Sequence, residues 1–130
     1  MNQIDNVMRS MKFDFFGNSR HKVAGAQHLS TPNSIFLDVR SNEEFETLSF
    51  NLKHHIPVIH IPIEEIPDRL AEIPLDKNIG IFCSSGTRSS MTYLYLRSKG
   101  YEKVKIIEEN IAAFANELKP GKILKHIQSK

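Results

Sequence analysis

IGIFCSSGTRSSMTYLYLRSKG, residues 79–100, is the stretch from which the rest of the chain can be read. Ile79 to Phe82 is a short apolar run of strand length, set off by the turn residues Asp76 to Asn78. From Ser89 to Lys99 the pattern turns helical: Met91, Leu94 and Tyr95 share one side, Arg97 and Lys99 stand in the last turn, and Gly100 is the stop. Between the two lies CSSGTRS, Cys83 to Ser89, too polar for a strand and read as an exposed loop. A strand passing through a tight loop into a helix is the unit of a parallel sheet, so this stretch assigns the chain to the α/β class.

Working outward, Ile35 to Val39 (IFLDV) reads as a buried strand running into Asp38 and Arg40, with a helical patch from Asn42 to Thr47. Val58 to Ile61 and Val104 to Ile107 read as further strands. Ile66, Leu70 and Ile73 share one face of a helix that accepts Pro67 in its first turn and ends before Pro74. At the start, Ile4, Val7, Met8 and Met11 at helical spacing, then Phe13, Phe15, Phe16 and the stop Gly17, read as one amphipathic helix packed on its own domain, with a dimer contact as the alternative use of its stripe. Ile111 to Leu118 reads as a short helix broken by Pro120-Gly121. The expected organisation is a helical extension over 1–18, one domain over 19–119, and a basic tail or helix over 120–130.

Bulk properties exclude several classes. One hundred and thirty residues support one core and not two. Hydrophobic residues at 40% and charged residues at 25% belong to a globular protein. Seventeen basic against 15 acidic side chains give a formal charge of only +2, too weak a field for a nucleic-acid or membrane-surface role. The first residues lack the apolar run of a signal peptide, so a cytoplasmic location is expected. A single cysteine forbids an internal disulfide and directs attention to what that thiol does.

A loop entering a helix turns successive amides into one concavity, and the helix dipole adds positive potential there. A thiol at that place has its thiolate favoured, with values of roughly 3.5 to 7.5 against about 8.5 for a free cysteine. Cys83 is therefore expected to be nucleophilic, although a lone cysteine at a strand end is commonly a small buried hydrophobe. Gly86 lets the loop turn, Ser84 and Ser85 leave the cradle open, Thr87 and Ser89 are placed to cap the helix, and Arg88 can set a planar cation beside an anion.

With these motifs in order, the chain resembles the rhodanese-like domain family over roughly Lys22 to Leu118. IFLDVR at 35–40, followed by Glu43, Glu44 and Phe45, is similar to the family's first strand and Asp-x-Arg. HIP at 55–57 and IPI at 61–63 are similar to its His-[Ile/Val]-Pro-Gly-Ala-x-x-Ile-Pro segment, while CSSGTRS and KGYEKV at 99–104 match the active-loop region. The resemblance implies a five-stranded, mostly parallel sheet flanked by helices on both faces. It implies transfer of sulfane sulfur from a small anionic donor such as thiosulfate to a thiol or cyanide, with Cys83 as carrier and Arg88 binding the donor. It calls for no cofactor and no metal. With no second cysteine the acceptor must be external, for instance glutathione, a thioredoxin-like protein or another partner, and the chain is expected as a monomer or weak dimer. The six residues from Cys83 to Arg88 match sulfurtransferases, whereas related phosphatases and arsenate reductases place the arginine one position later. A non-catalytic interaction module, a persulfide-loaded delivery protein and that phosphatase or reductase class remain as alternatives.

The chain departs from the family pattern in two places. Val58 and Ile59 replace Gly-Ala with one residue fewer before Pro62, and the family's Gly-Gly-x-x-x-Trp becomes Glu109, Asn110 and Phe114, which leaves the turn to Asn110. Asp38 and Arg40 are expected to form an ion pair or brace the loop rather than move protons. His55 is expected to be structural in its turn, and His60 to lie in a strand facing a loop. Six histidines without a Cys/His cluster at ligand spacing do not suggest a metal site.

Overall fold

The computed structural model describes residues 3–47, 56–110 and 113. Five strands, β1 (Lys22–Val23), β2 (Ser34–Asp38), β3 (Val58–His60), β4 (Asn78–Phe82) and β5 (Val104–Ile107), form one sheet in the order β1-β5-β4-β2-β3. Every pairing is parallel, so the expected mostly parallel sheet is parallel throughout. The helices are α1 (Gln3–Arg9), α2 (Phe13–Gly17), α3 (Gly25–Leu29), α4 (Asn42–Thr47) and α5 (Thr87–Ser98).

Both faces of the central strands are buried, which is why β2 and β4 read as continuous apolar runs rather than alternating ones. Alternation still decides which side chain goes where. Ile35, Leu37, Ile79, Ile81 and Cys83 join Phe15, Tyr93, Leu96 and Tyr101 on one face, whereas Phe36 and Phe82 pack with Ala26, Leu29, Ile56 and Ile107 on the other. Cys83 is thus delivered to the α5 side by the same period of two that buries Ile79 and Ile81.

Register sets the next step. Asp38 pairs with Phe82, and the Val39 amide donates to the Phe82 carbonyl at 3.0 Å. The segments leaving β2 and β4, Val39–Arg40 and Cys83–Ser84, therefore start side by side at the carboxyl edge, where ligand sites of open α/β sheets gather.

Several sequence-based expectations change. The N-terminal helix is two: α1 ends where the Ser10 hydroxyl and amide both bond to the Val7 carbonyl, at 2.6 and 3.1 Å, and α2 restarts at Phe13. Val7 and Phe15 are buried on the domain, while Met8, Phe13 and Phe16 are exposed. The helix expected around Ile66, Leu70 and Ile73 is a pair of 3-10 turns, Ile63–Glu65 and Pro67–Glu72, with a non-helical Arg69 at φ −119° and ψ 19°. Pro67 brings no amide to that segment, and the side chain of Arg69 is held between Glu65 and Glu72. Ile66 and Ile73 are nevertheless buried, as their spacing implied.

The buried stripe of α5 is Ser89, Thr92, Tyr93 and Leu96, not Met91, Leu94 and Tyr95; Met91 is 61% exposed. β1 and α3 were not legible, because a two-residue strand and a five-residue helix carry no period. Beyond β5, the Asn110 side chain accepts from the Ala113 amide at 2.9 Å, so asparagine does shape the turn where the family has glycine. The segment 48–55, with His55, and Ile111 to Leu118 (Ala113 apart) lie outside the described residues, as does the tail after them. Among the described residues no helix is long and apolar enough to cross a membrane.

Candidate active site

Cys83 is the first residue after β4, and its burial corrects the expectation of an exposed thiol: it is 2% exposed, at the floor of a loop whose Ser85 and Thr87 are the exposed members. The chain turns over it through Gly86, which at φ +96° occupies the left-handed region and is the residue preceding α5. A Cβ there would meet nothing within 4 Å, so the backbone angle, not lack of space, calls for glycine.

The turn aims amides at the sulfur. Gly86 N–H reaches Cys83 Sγ at 3.0 Å and Ser89 N–H at 3.3 Å. Since Ser89 is the third residue of α5, its amide is one of the donors that helix geometry leaves without an internal partner. The residue before the helix, Gly86, has no side chain to cap it; Thr87 and Ser89 lie inside the helix, and among the described residues the sulfur takes the capping place. The Ser89 hydroxyl is buried, and having no conventional hydrogen-bond partner among the described residues it is available to the sulfur. Burial pushes the Cys83 thiol up. Hydrogen bonds from the Ser89 hydroxyl and from the Ser89, Ser85 and Gly86 amides outweigh it, leaving the thiol below its ordinary value. The arrangement favours a thiolate that is shielded from solvent.

Arg88 stands beside this loop but does not face it unengaged. Its Nη1 donates to Glu44 Oε1 at 2.6 Å and its Nη2 to Glu44 Oε2 at 3.0 Å, and Nη2 also donates to Ser84 Oγ at 2.9 Å. Glu44 in turn closes a capping box at the start of α4: Ser41 N–H donates to its Oε1 at 3.0 Å, and its own amide donates to Ser41 Oγ at 3.2 Å. The Arg88 hydrogen bonds, with smaller help from Ser41, take the Glu44 carboxyl down to about 2 despite partial burial. Arg88 is raised by the same contact.

Asp38 and Arg40 form a wholly buried ion pair behind the loop, with Nη2 to Oδ2 at 2.7 Å, Nε to Oδ1 at 3.0 Å, and the Arg40 amide to Oδ1 at 3.0 Å. The guanidinium lies over the Phe82 ring at 5.3 Å. His60 ends β3, as expected, and its Nε2 bonds to the Arg40 carbonyl at 2.8 Å while its ring stacks on Phe45 at 4.1 Å. These contacts hold the turn that carries Ser41 and Glu44. A polar cleft of about 450 Å³ opens on the other side of the loop, between Ser85, Gly86 and Thr87 and the Lys22, Glu108 and Asn110 side.

Glu44 is the residue that sequence reading did not assign to the site. Its capping box with Ser41 was visible as S-x-x-E, but a partner 44 positions away leaves no local signal.

A thiol under a helix terminus at the carboxyl edge of a parallel sheet, with an arginine five residues on, defines a class of cysteine-based sulfur-handling or anion-handling loops. A model of the rhodanese-like domain matches residues 24–117, and the chain belongs to that family. A tRNA sulfurtransferase of Tolumonas auensis is 27% identical over 113 residues, covering 82% of this chain and 23% of that protein. A putative sulfur carrier protein of Bacillus subtilis is 42% identical over 69 residues, 52% of this chain and 34% of the relative. Among solved structures, an NAD-dependent persulfide reductase from A. fulgidus is 43% identical with a TM-score of 0.54, over 63% of this chain and 14% of that one. The chain thus spans about a third or less of these proteins.

Proposed function

We propose that this protein is a sulfurtransferase in which Cys83 carries sulfane sulfur as a persulfide between a donor such as thiosulfate and an external thiol or cyanide. The observation that carries the reading is the Cys83 sulfur receiving the Gly86 and Ser89 amides under the first turn of α5. The thiolate attacks the outer sulfur of thiosulfate, the S–S bond breaks, and sulfite leaves with the bonding pair. The Cys83 persulfide then occupies the loop, where amides and helix dipole favour its negative charge. An external thiolate takes the outer sulfur and returns Cys83 as thiolate. Arg88, with Nε and one Nη1 hydrogen left by its bonds to Glu44 and Ser84, serves the donor, while Ser84, Ser85, Gly86, Thr87 and Ser89 shape the cradle. Residues 1–18 dock onto a catalytic domain at 19–119 through Val7 and Phe15.

Intact mass after incubation with thiosulfate tests this. A gain of about 32 Da that cyanide removes and that Cys83→Ser lacks is the expected result. Absence of an adduct with thiosulfate and with polysulfide alike would sink the reading.

A further inference from the structure

Where the N-terminal extension meets the domain, a pocket of about 260 Å³ is left between them. Ser10 and Phe15 contribute to it from the α1–α2 side, Tyr93 and Arg97 from α5, Arg20 from the segment before β1, and Glu102 and Lys105 from around the start of β5. Three cations thus share the lining with one carboxylate. Counting Asp14 as well, exposed and 3.9 Å from Arg20, the balance stays positive. Lys105 is tethered there, its Nζ donating to the Arg20 carbonyl.

The α5 side of the pocket carries donors that lack acceptors. Tyr93 is 3% exposed, and its hydroxyl accepts from Arg97 Nη1 at 2.8 Å, with the guanidinium carbon 5.7 Å from the centroid of the same ring. Among the described residues no group accepts the Tyr93 hydroxyl's own hydrogen, and none takes the remaining N–H groups of Arg97. A buried phenol ordinarily finds a partner for its hydrogen, and a guanidinium offers a planar fork to oxygen ligands. Arg20 brings a second guanidinium, and at 3.9 Å Asp14 is beyond hydrogen-bond range of it.

The group that answers such donors is an oxyanion. A carboxylate has two oxygens, whereas a phosphomonoester has three terminal oxygens and a charge of about −1.5 to −2 at pH 7, which matches two guanidiniums and a phenol more fully. The volume lies below the roughly 300–1,000 Å³ common for drug-sized ligands, so the carbon part is limited to a few atoms. Phe15 offers that part an apolar surface, and Glu102 an acceptor for a hydroxyl.

We propose that this pocket is a binding site for a small, hydroxyl-bearing phosphomonoester, its phosphoryl group held by Arg97, Tyr93 and Arg20 where the extension joins the domain. No residue of the loop from Cys83 to Ser89 lines the pocket, so the inference is independent of sulfur transfer.

The test is isothermal titration calorimetry of the full chain at low salt with glycerol 3-phosphate, inorganic sulfate and glycerol. Saturable binding of glycerol 3-phosphate with a Kd of about 1 mM or below is expected, and none of glycerol. Arg97→Gln weakens it by roughly tenfold or more, and Tyr93→Phe, which keeps the ring, by roughly three- to tenfold. Lys99→Gln, which removes a cation at the end of the same helix but outside the pocket, leaves it within about twofold. Urea midpoints verify that the variants fold, and Arg20→Gln, at an exposed side chain, supplies a further loss of binding that does not depend on the core. Absence of saturable binding by wild type up to about 10 mM would overturn the proposal. So would unchanged affinity in Arg97→Gln and Tyr93→Phe, or sulfate binding as tightly as glycerol 3-phosphate. Displacement of glycerol 3-phosphate by a short RNA that binds more tightly would overturn it too, in favour of a site that reads a polymer backbone.

Discussion

At Cys83 two effects of opposite sign meet. A thiol that is 2% exposed should resist ionisation, yet the amides of Gly86, Ser85 and Ser89 and the Ser89 hydroxyl together reverse that penalty. Because the deprotonated form is the one favoured in the fold, the rate of alkylation by a small reagent should rise with pH through a midpoint below that of a free thiol. Ser89→Ala should move the midpoint back up; loss of a hydrogen bond of about 1 kcal/mol lowers the thiolate fraction roughly fivefold at a pH below both midpoints. Iodoacetamide kinetics between pH 5 and about 10 would show it. An unchanged profile would mean that the backbone amides alone set the thiol. The cysteine and its loop were legible from residue types and spacing. The burial of the sulfur was not, since it depends on α5 starting at Thr87 rather than at Ser89.

Among the elements, α5 shows why periodicity alone picked the wrong face. Met91, Leu94 and Tyr95 look like the apolar side, but Ser89 and Thr92 are small enough to lie against the sheet, and the helix is turned so that its N-terminal amide meets Cys83. Leu96, wholly buried, is then the anchor: Leu96→Ala should cost about 2–5 kcal/mol in urea unfolding. Met91→Ala should stay within about 0.5 kcal/mol. The reverse order would restore the face first expected from the sequence. The 3-10 pair at Ile63–Glu65 and Pro67–Glu72 makes the same point, for the spacing of Ile66, Leu70 and Ile73 correctly marked what packs inward while Pro67 and Arg69 altered the backbone that delivers it.

Across the whole molecule, the buried Asp38–Arg40 pair joins the sheet to the site. It ties the end of β2 to Phe82, the last residue of β4, and through the Arg40 carbonyl to His60, whose ring supports Phe45 next to Glu44. Asp38→Asn removes the carboxylate charge that the Arg40 guanidinium and amide meet at 2.7–3.0 Å and should cost about 3 kcal/mol, read as a lowered urea midpoint at unchanged slope. A loss below about 1 kcal/mol would show that the remaining contacts of Arg40 hold its charge without the Asp38 carboxylate. The parallel α/β class, the succession of β2, β3, β4, loop, α5 and β5, and the cysteine with its glycine and arginine were determined by the sequence itself. They rest on local rules, namely strand runs, turn residues and the donors a helix start leaves open. The edge strand β1, the buried face of α5 and the partnership of Arg88 with Glu44 were decided only by tertiary structure. Each depends on residues far apart in the chain arriving at one place, which no local period or spacing encodes.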